Sequence, residues 1–175
     1  QRRYKVEIIG PVFGDGIWSP VKDDKTIIYR GFEVNGFIKP YLQINSISKI
    51  IDGDIIYASK PKFSSFGMGL RAKKATGSPL ILDIDDWELG FVKDLLSKMS
   101  VVGQMKYLLS SALLLYRNES YWNNFLFEKY LDRVDDMTVS NRFLQRKFGG
   151  TVIWHARDTE EFDPRKFSRE KICQS

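Results

Sequence analysis

Two of the most reactive side chains are nearly missing from this chain. It holds one cysteine, Cys173, and one histidine, His155. A lone cysteine cannot form an internal disulfide, so a cytosolic, reducing setting is the simpler expectation. Cys173 and His155 together also fall short of the several ligands that a zinc site takes. Long hydrophobic runs are missing too. The most apolar stretch, Tyr107 to Tyr116, is ten residues between Lys106 and Arg117, where a membrane-spanning helix needs roughly 20. It reads as a core helix. No signal peptide, repeat or low-complexity segment stands out. The expected location is cytoplasmic, with room for peripheral contact at the inner face of the membrane.

What is present describes a globular domain. Hydrophobic residues make up 43% and charged residues 28% of 175, enough for one domain with a real core. The net charge of +5 suits an anionic partner such as a nucleotide sugar, a nucleic acid or a membrane surface. It equally suits a mildly basic soluble protein. Gln1 at the start, and a helix expected to begin at Ser168 and stop short at Ser175, read as two cut ends.

Short apolar runs alternate with amphipathic stretches, which is the pattern of an α/β fold. Strands are expected at Tyr4 to Ile9, closed by Gly10-Pro11, and within Thr26 to Val34. Further strands are expected at Ile55 to Ala58, Leu80 to Ile84, Met137 to Val139 and Thr151 to Trp154. Helices are expected after Pro40 (Tyr41 to Ile51), from a Ser64-Ser65 cap to Thr76 with Gly77 as its stop, and from Asn141 to Phe148. A mostly helical insertion covers residues 89–134, with Val101, Met105, Leu108, Ala112 and Leu115 recurring at helical spacing as a core stripe. Strands that are apolar throughout and separated by helices imply a Rossmann-like three-layer parallel sheet with helices on both faces.

In such sheets ligands sit beyond the carboxyl ends of the strands, and that rule selects the candidates. Asp83, Asp85 and Asp86, followed by Trp87, form the sharpest cluster. If the strand continues, Asp83 and Asp85 share a face. Packed like charges need a role or a cation partner, so Asp85 and Asp86 are the candidate catalytic pair. The structural alternative is that one of them caps the next helix. Ser59 and Lys60 end the preceding strand, which sets Lys60 beside the acidic cluster or leaves it a solvated loop lysine. Gly14 and Gly16 could approach a ligand closely or simply form a turn. Ser140 and Asn141 end another strand. His155 ends the last one, as a candidate base or as a packed histidine. The basic runs Arg71 to Lys74 and Arg142 to Lys147 read as solvated helix faces, so nucleic acid is not the expected partner.

Several segments resemble family 4 of the retaining glycosyltransferases. Asp54 to Pro61 resembles that family's strand of the form D-v-i-h-a. Ala72 to Asp83 resembles its a-k-k-l-g-k-P-l-v segment. Val139 to Leu144 followed by Phe148 to Gly150 is similar to v-S-x-x-l-x-x-x-f-g. Ile153 to Pro164 is similar to i-p-n-G-v-D-t-x-x-F-x-P, with Asp158, Phe162 and Pro164 on its fixed points. The resemblance implies one half of a GT-B architecture: an acceptor-side domain facing a second domain that binds the nucleotide sugar. It implies transfer of a sugar to an acceptor hydroxyl, in polysaccharide or glycolipid biosynthesis, with no cofactor and no metal. Implied partners are a nucleotide sugar, a carbohydrate or lipid-linked acceptor and the C-terminal domain of the same chain. Lys60, Asp85, Asp86 and Asp158 would then line the cleft, with Arg157 set to meet an anionic group. The family usually carries histidine where this chain has Asp85-Asp86, so histidine-dependent acceptor contacts do not carry over. Aligned this way, a first strand, a glycine-rich loop and a helix are expected before Gln1 and the donor domain after Ser175. The isolated piece is then expected to be inactive.

Two other readings compete. Asp83-x-Asp85 after an apolar strand is the spacing of a haloacid-dehalogenase-type phosphatase, although Trp87 stands where that family takes threonine or valine. A non-catalytic module that binds carbohydrate, nucleic acid or protein is the third.

Overall fold

The computed structural model describes residues 4–12, 16, 25–34, 39–113 and 120–154. The chain is α/β and Rossmann-like, and every strand runs parallel to its neighbours. Strands β1 (Glu7–Val12) and β2 (Ile28–Glu33) pair as one sheet. Strands β3 (Ile56–Ser59), β4 (Leu80–Ile84), β5 (Asp136–Val139) and β6 (Thr151–Val152) form a second, in that spatial order. The described helices are α1 (Lys39–Ser48), α2 (Met68–Thr76), α3 (Glu88–Ser97), α4 (Val101–Leu113), α5 (Tyr121–Glu128) and α6 (Arg142–Phe148).

The parallel pairing expected from the sequence is present, and among the described residues it forms two sheets, because β1 and β3 exchange no ladder bonds. Strand β1 also runs through Gly10 and Pro11 rather than ending before them. The ladder explains why proline is tolerated. Ile28 and Val34 donate their N–H groups to the carbonyls of Val6 and Val12. In a parallel pair alternate residues face the same neighbour, so Val6, Ile8, Gly10 and Val12 face β2. Pro11 points its missing donor the other way, toward an edge that pairs with no described strand.

Strands β3 and β4 alternate as half-covered strands do. Ile56, Ala58, Leu80, Leu82 and Ile84 are buried on one face, with Met137 and Val139 continuing it on β5. Phe66, Ala72, Phe127 and Leu144 pack onto that face. A Cβ on Gly69 of α2 would come within 2.8 Å of Leu80 Cδ1, so the helix lies close against the sheet. A smaller cluster of Val34, Ile44, Ile47 and Met68 joins α1 and α2, with Ile9 of β1 packed against it.

Two local expectations fail for identifiable reasons. Ser64 and Ser65 do not cap a helix. They lie inside a π-helical turn, Phe63–Gly67, that leads into α2 without a side-chain cap. That turn is tied down by Gly67 N–H donating to the Lys62 carbonyl (3.0 Å) and Phe63 N–H to Asn123 Oδ1 (2.9 Å). The other failure is the core stripe of α4. Val101 and Met105 are 71% and 60% exposed, Ala112 is exposed, and Leu108 is only half-buried. Ser111 is the helix's only buried residue; Leu115 lies outside the described residues. The cause is polar: Ser120 Oγ donates to the Ser111 carbonyl (2.8 Å) and Trp122 Nε1 to that of Leu108 (2.9 Å). Helix α5 therefore grips α4 by its backbone and turns the apolar stripe outward.

Glycines end two elements in different ways. Gly77 closes α2 at φ +79 with open space around it, whereas Gly150 at φ +84 would place a Cβ 2.6 Å from the Met137 carbonyl oxygen. Gly77→Ala should cost about 1 kcal/mol, the penalty of a left-handed non-glycine residue. Gly150→Ala adds a backbone clash and should cost at least twice as much. Urea unfolding of the two variants checks the order; equal losses would contradict the tight approach at Gly150.

Candidate functional site

The site begins with one backbone choice. Lys60 follows β3 at φ +69, a left-handed value that non-glycine residues seldom adopt. Its N–H still donates to the Asp83 carbonyl (2.8 Å), and Lys62 N–H donates back to the Lys60 carbonyl (2.8 Å). This tight turn delivers the Lys60 side chain across the end of β4. Its Nζ lies 2.9 Å from Glu88 Oε1, 3.3 Å from Asp85 Oδ1 and 3.6 Å from Asp86 Oδ2. Glu88 is shared: its Oε2 lies 3.0 Å from the ammonium of Lys62, a lysine with a side chain only 11% exposed.

The charges support one another. Burial works against ionising Lys60, but its hydrogen bond to Glu88 and the attraction of Glu88 and Asp85 outweigh that and hold its pKa above the usual lysine value. Burial likewise works against ionising Glu88, and Lys60 and Lys62 overcome it, so the Glu88 carboxyl sits below the usual range. Asp85, Asp86 and Glu88 bring oxygens within 4.8 Å of one another, a set that could ligate a cation. The Lys60 ammonium supplies positive charge among them.

Neither Asp85 nor Asp86 caps α3. The N-cap position is Trp87, without a side-chain cap bond. Asp83 and Asp85 do not act together either. Strand β4 ends at Ile84, so its alternation does not reach Asp85. Asp83 Oδ1 accepts from Thr138 of β5 (2.5 Å), and Thr138 is in turn bonded to the Tyr57 hydroxyl (2.9 Å). Asp85 instead turns to Lys60 beyond β3. Burial, with the nearby Asp83 carboxylate, pushes the Tyr57 phenol up.

The neighbouring strand end completes the wall. Ser140 Oγ donates to the Asp85 carbonyl (2.6 Å), and Asn141 Nδ2 donates to Ser140 Oγ (3.0 Å). Asn141 Oδ1 accepts from Leu144 N–H (3.0 Å), which makes it the N-cap of α6. Trp87 Nε1 donates to Glu128 Oε2 (3.3 Å), and the Lys147 ammonium lies 4.0 Å from the Trp87 ring centroid. A Cβ on Gly90 would fall 2.3 Å from the indole, so only glycine admits Trp87 there. Together Asp85, Asp86, Trp87, Phe91, Asn141 and Phe143 line an open pocket of about 250 Å³.

The structure thus brings Lys60, Asp85, Asp86, Trp87, Ser140 and Asn141 together at the carboxyl ends of three adjacent parallel strands. Ser59 is exposed at the end of β3, and Gly16 is exposed at φ +103 with nothing within 4 Å of where its Cβ would be. Gly14, His155, Arg157 and Asp158 lie outside the described residues. Sequence reasoning missed Glu88, Lys62, Gly90 and Phe143. An acid in the first turn of a helix signals only a favourable dipole, and nothing in the spacing says that Glu88 turns back to two lysines. The basic runs are partly engaged: Lys73 pairs with Asp135 (2.7 Å) and Arg71 lies over the Phe63 ring.

No family model matches the chain, and neither the curated proteins nor the solved structures contain a match to it.

Glu88→Gln removes the carboxylate that both lysines share, leaving Lys60 with Asp85 and Asp86 and Lys62 buried without its counter-ion. The expected loss is about 2 kcal/mol at pH 7, below the range for a fully buried pair because the cluster is partly open to water. The pH dependence follows from the directions of the shifts. Glu88, depressed on folding, contributes fully above the ordinary carboxylate value of about 4.3 and loses that contribution as pH falls through its lower folded value. Lys60, raised on folding, contributes fully below about 10.4 and loses it as pH rises through its higher folded value. Acidification below about pH 4 should therefore narrow the gap between wild type and Glu88→Gln. A gap constant from pH 7 to pH 3 would contradict the pairing.

Proposed function

We propose that this chain is the acceptor-side domain of a glycosyltransferase, and that the pocket beside Asp85 and Asp86 holds the acceptor sugar. The observation that carries this reading is the composition of the pocket. Two carboxylates and an amide converge with Trp87, Phe91 and Phe143 at the carboxyl ends of parallel strands, where open α/β sheets bind ligands. A sugar offers hydroxyls to the first group and C–H faces to the second. Asp86, with a half-exposed side chain, accepts from and orients the acceptor hydroxyl. Lys60 pairs with both carboxylates and holds them in place.

In this reading a hexose is transferred from a nucleotide sugar, with no cofactor or metal supplied by this domain, and the nucleotide is held by a further domain. The resemblance of Asp54 to Pro61 and Ala72 to Asp83 to the family 4 enzymes supports the same reading. The phosphatase alternative has weaker support: its two carboxylates would be Asp83 and Asp85, and these engage opposite neighbours of β4.

Saturation-transfer NMR of the chain with millimolar glucose, galactose, mannose and N-acetylglucosamine tests the pocket. Transfer to at least one sugar is expected, weakened about tenfold in Asp86→Asn, a change at an exposed carboxylate that leaves the fold intact. Absence of transfer to every sugar from folded protein, or an Asp86→Asn variant that binds as wild type, would remove the acceptor reading.

A lipid-linked acceptor at a membrane surface fits a separate observation. Among the described residues no helix is long and apolar enough to cross a membrane. Yet α4 presents Val101, Val102, Met105, Leu109 and Leu113 to solvent, with Lys106 as its one charged residue. A contiguous exposed apolar face of this kind is suited to resting on a bilayer surface. The chain should float with phosphatidylglycerol vesicles at low salt, and Met105→Glu with Leu109→Glu should leave it at the bottom. Wild-type protein that never floats would confine the acceptor to soluble sugars.

A further inference from the structure

The polar groups of the pocket beside Trp87 are unevenly matched, and the mismatch narrows the kind of sugar it holds. Its donors are largely engaged within the protein. Trp87 Nε1 donates to Glu128 Oε2 (3.3 Å), and Asn141 Nδ2 donates to Ser140 Oγ (3.0 Å). That leaves one N–H of the Asn141 amide for a ligand. Gly90, Phe91, Phe143 and Leu144, which also line the cavity, have no polar side chain. The remaining groups are the carboxylates of Asp85 and Asp86, which only accept.

Charge is uneven as well. Asp85, Asp86 and Glu88 are held by two ammonium groups, those of Lys60 and Lys62. Three carboxylates against two lysines leave one formal negative charge in excess. It is most open to a ligand at Asp86. Lys60 Nζ stands 2.9 Å from Glu88 Oε1 but 3.6 Å from Asp86 Oδ2, and the Asp86 side chain is half-exposed while those of Glu88 and Asp85 are largely covered. Two further lysines lie near the pocket but are not among the residues that line it. The ammonium groups of Lys93 and Lys147 are 5.8 and 4.0 Å from the Trp87 ring centroid, and both residues are exposed, so water and salt screen them. Phe91 and Phe143 do line the cavity, and both are exposed. Aromatic faces beside a carboxylate receive a cation better than an anion.

We infer that the pocket selects an amino sugar, a hexose whose ammonium group sits on Asp86 while its ring lies against Phe91 and Phe143. The inference rests on the pocket being the acceptor-sugar site of the proposed function. An ammonium brings three donors to a wall of acceptors and offsets the excess charge. A hydroxyl brings one donor and no charge. An acetamido group brings one N–H together with a carbonyl that Asp86 repels. A carboxylate on the sugar would meet Asp86 as a like charge.

Chemical-shift titrations of the intact chain with glucosamine, glucose, N-acetylglucosamine and glucuronate test this, at about pH 6, below the titration of a free amine. Glucosamine should bind about fivefold tighter than glucose, the size of one partly exposed, charge-assisted pair. Glucuronate should bind most weakly. The preference for glucosamine should largely vanish at about 0.5 M sodium chloride, where the Debye length shrinks to ~4 Å. Asp86→Asn should also bring glucosamine and glucose together. That readout is a ratio within one variant, so a general loss of sugar affinity does not imitate it. Glucose that binds with glucosamine no tighter would overturn the inference and leave the acceptor pocket standing. So would a glucosamine preference that survives Asp86→Asn, or glucuronate as the tightest ligand, because Lys93 and Lys147 would then set the choice of charge. Binding of none of the four sugars would remove the acceptor reading and this inference with it.

Discussion

A single ammonium group organises the strand ends. Asp85, Asp86 and Glu88 crowd their oxygens into a few ångströms, and like charges at that spacing repel strongly where water is partly excluded. Lys60 reverses the sign of the problem by standing within 3.6 Å of all three. It reaches them only because its backbone accepts a left-handed turn directly after β3. The cost of that conformation is of order 1–2 kcal/mol, small beside what an uncompensated carboxylate would cost in the same place. Lys62 then secures Glu88 from the other side. The pocket's acidic wall, the start of α3 and the π-helical turn that begins at Phe63 are all anchored to this one ion-pair network.

Much of the fold could be read from the sequence, because its signals are local and strong. Leu80 to Ile84 forms a strand at the expected bounds, Gly77 ends its helix at positive φ, and Asn141 caps the helix that runs to Phe148. The alternation of strands and helices correctly implies parallel pairing. What could not be read depends on tertiary choices. The stripe from Val101 to Ala112 has the spacing of a core face, but Ser120 and Trp122 bond to the backbone carbonyls of Ser111 and Leu108, and Val101, Met105 and Ala112 stay exposed. Pro11 looks like a strand terminator, yet its register turns the missing donor away from β2.

The site shows the same division. Asp85, Asp86 and Lys60 could be found because ligand sites gather at the carboxyl ends of parallel strands. Glu88 and Lys62 could not, since their partnership requires a turn geometry that no spacing encodes. Gly90 is legible only afterwards: it is the residue against which the Trp87 indole lies. The outward face of α4 and the open pocket beside Trp87 are two surfaces on which the described residues have capacity for contacts beyond their own.

In the proposed function, the carboxylates gathered by Lys60 form the wall that an acceptor sugar touches. Carbonyl-carbon NMR of the aspartate and glutamate side chains during titration with a sugar measures this most directly. The carboxyl carbons of Asp86 and Asp85 should shift with a common saturation curve while those of Asp83 and Asp135 stay in place. Saturable shifts at Asp83 or Asp135 with Asp85 and Asp86 silent would contradict it.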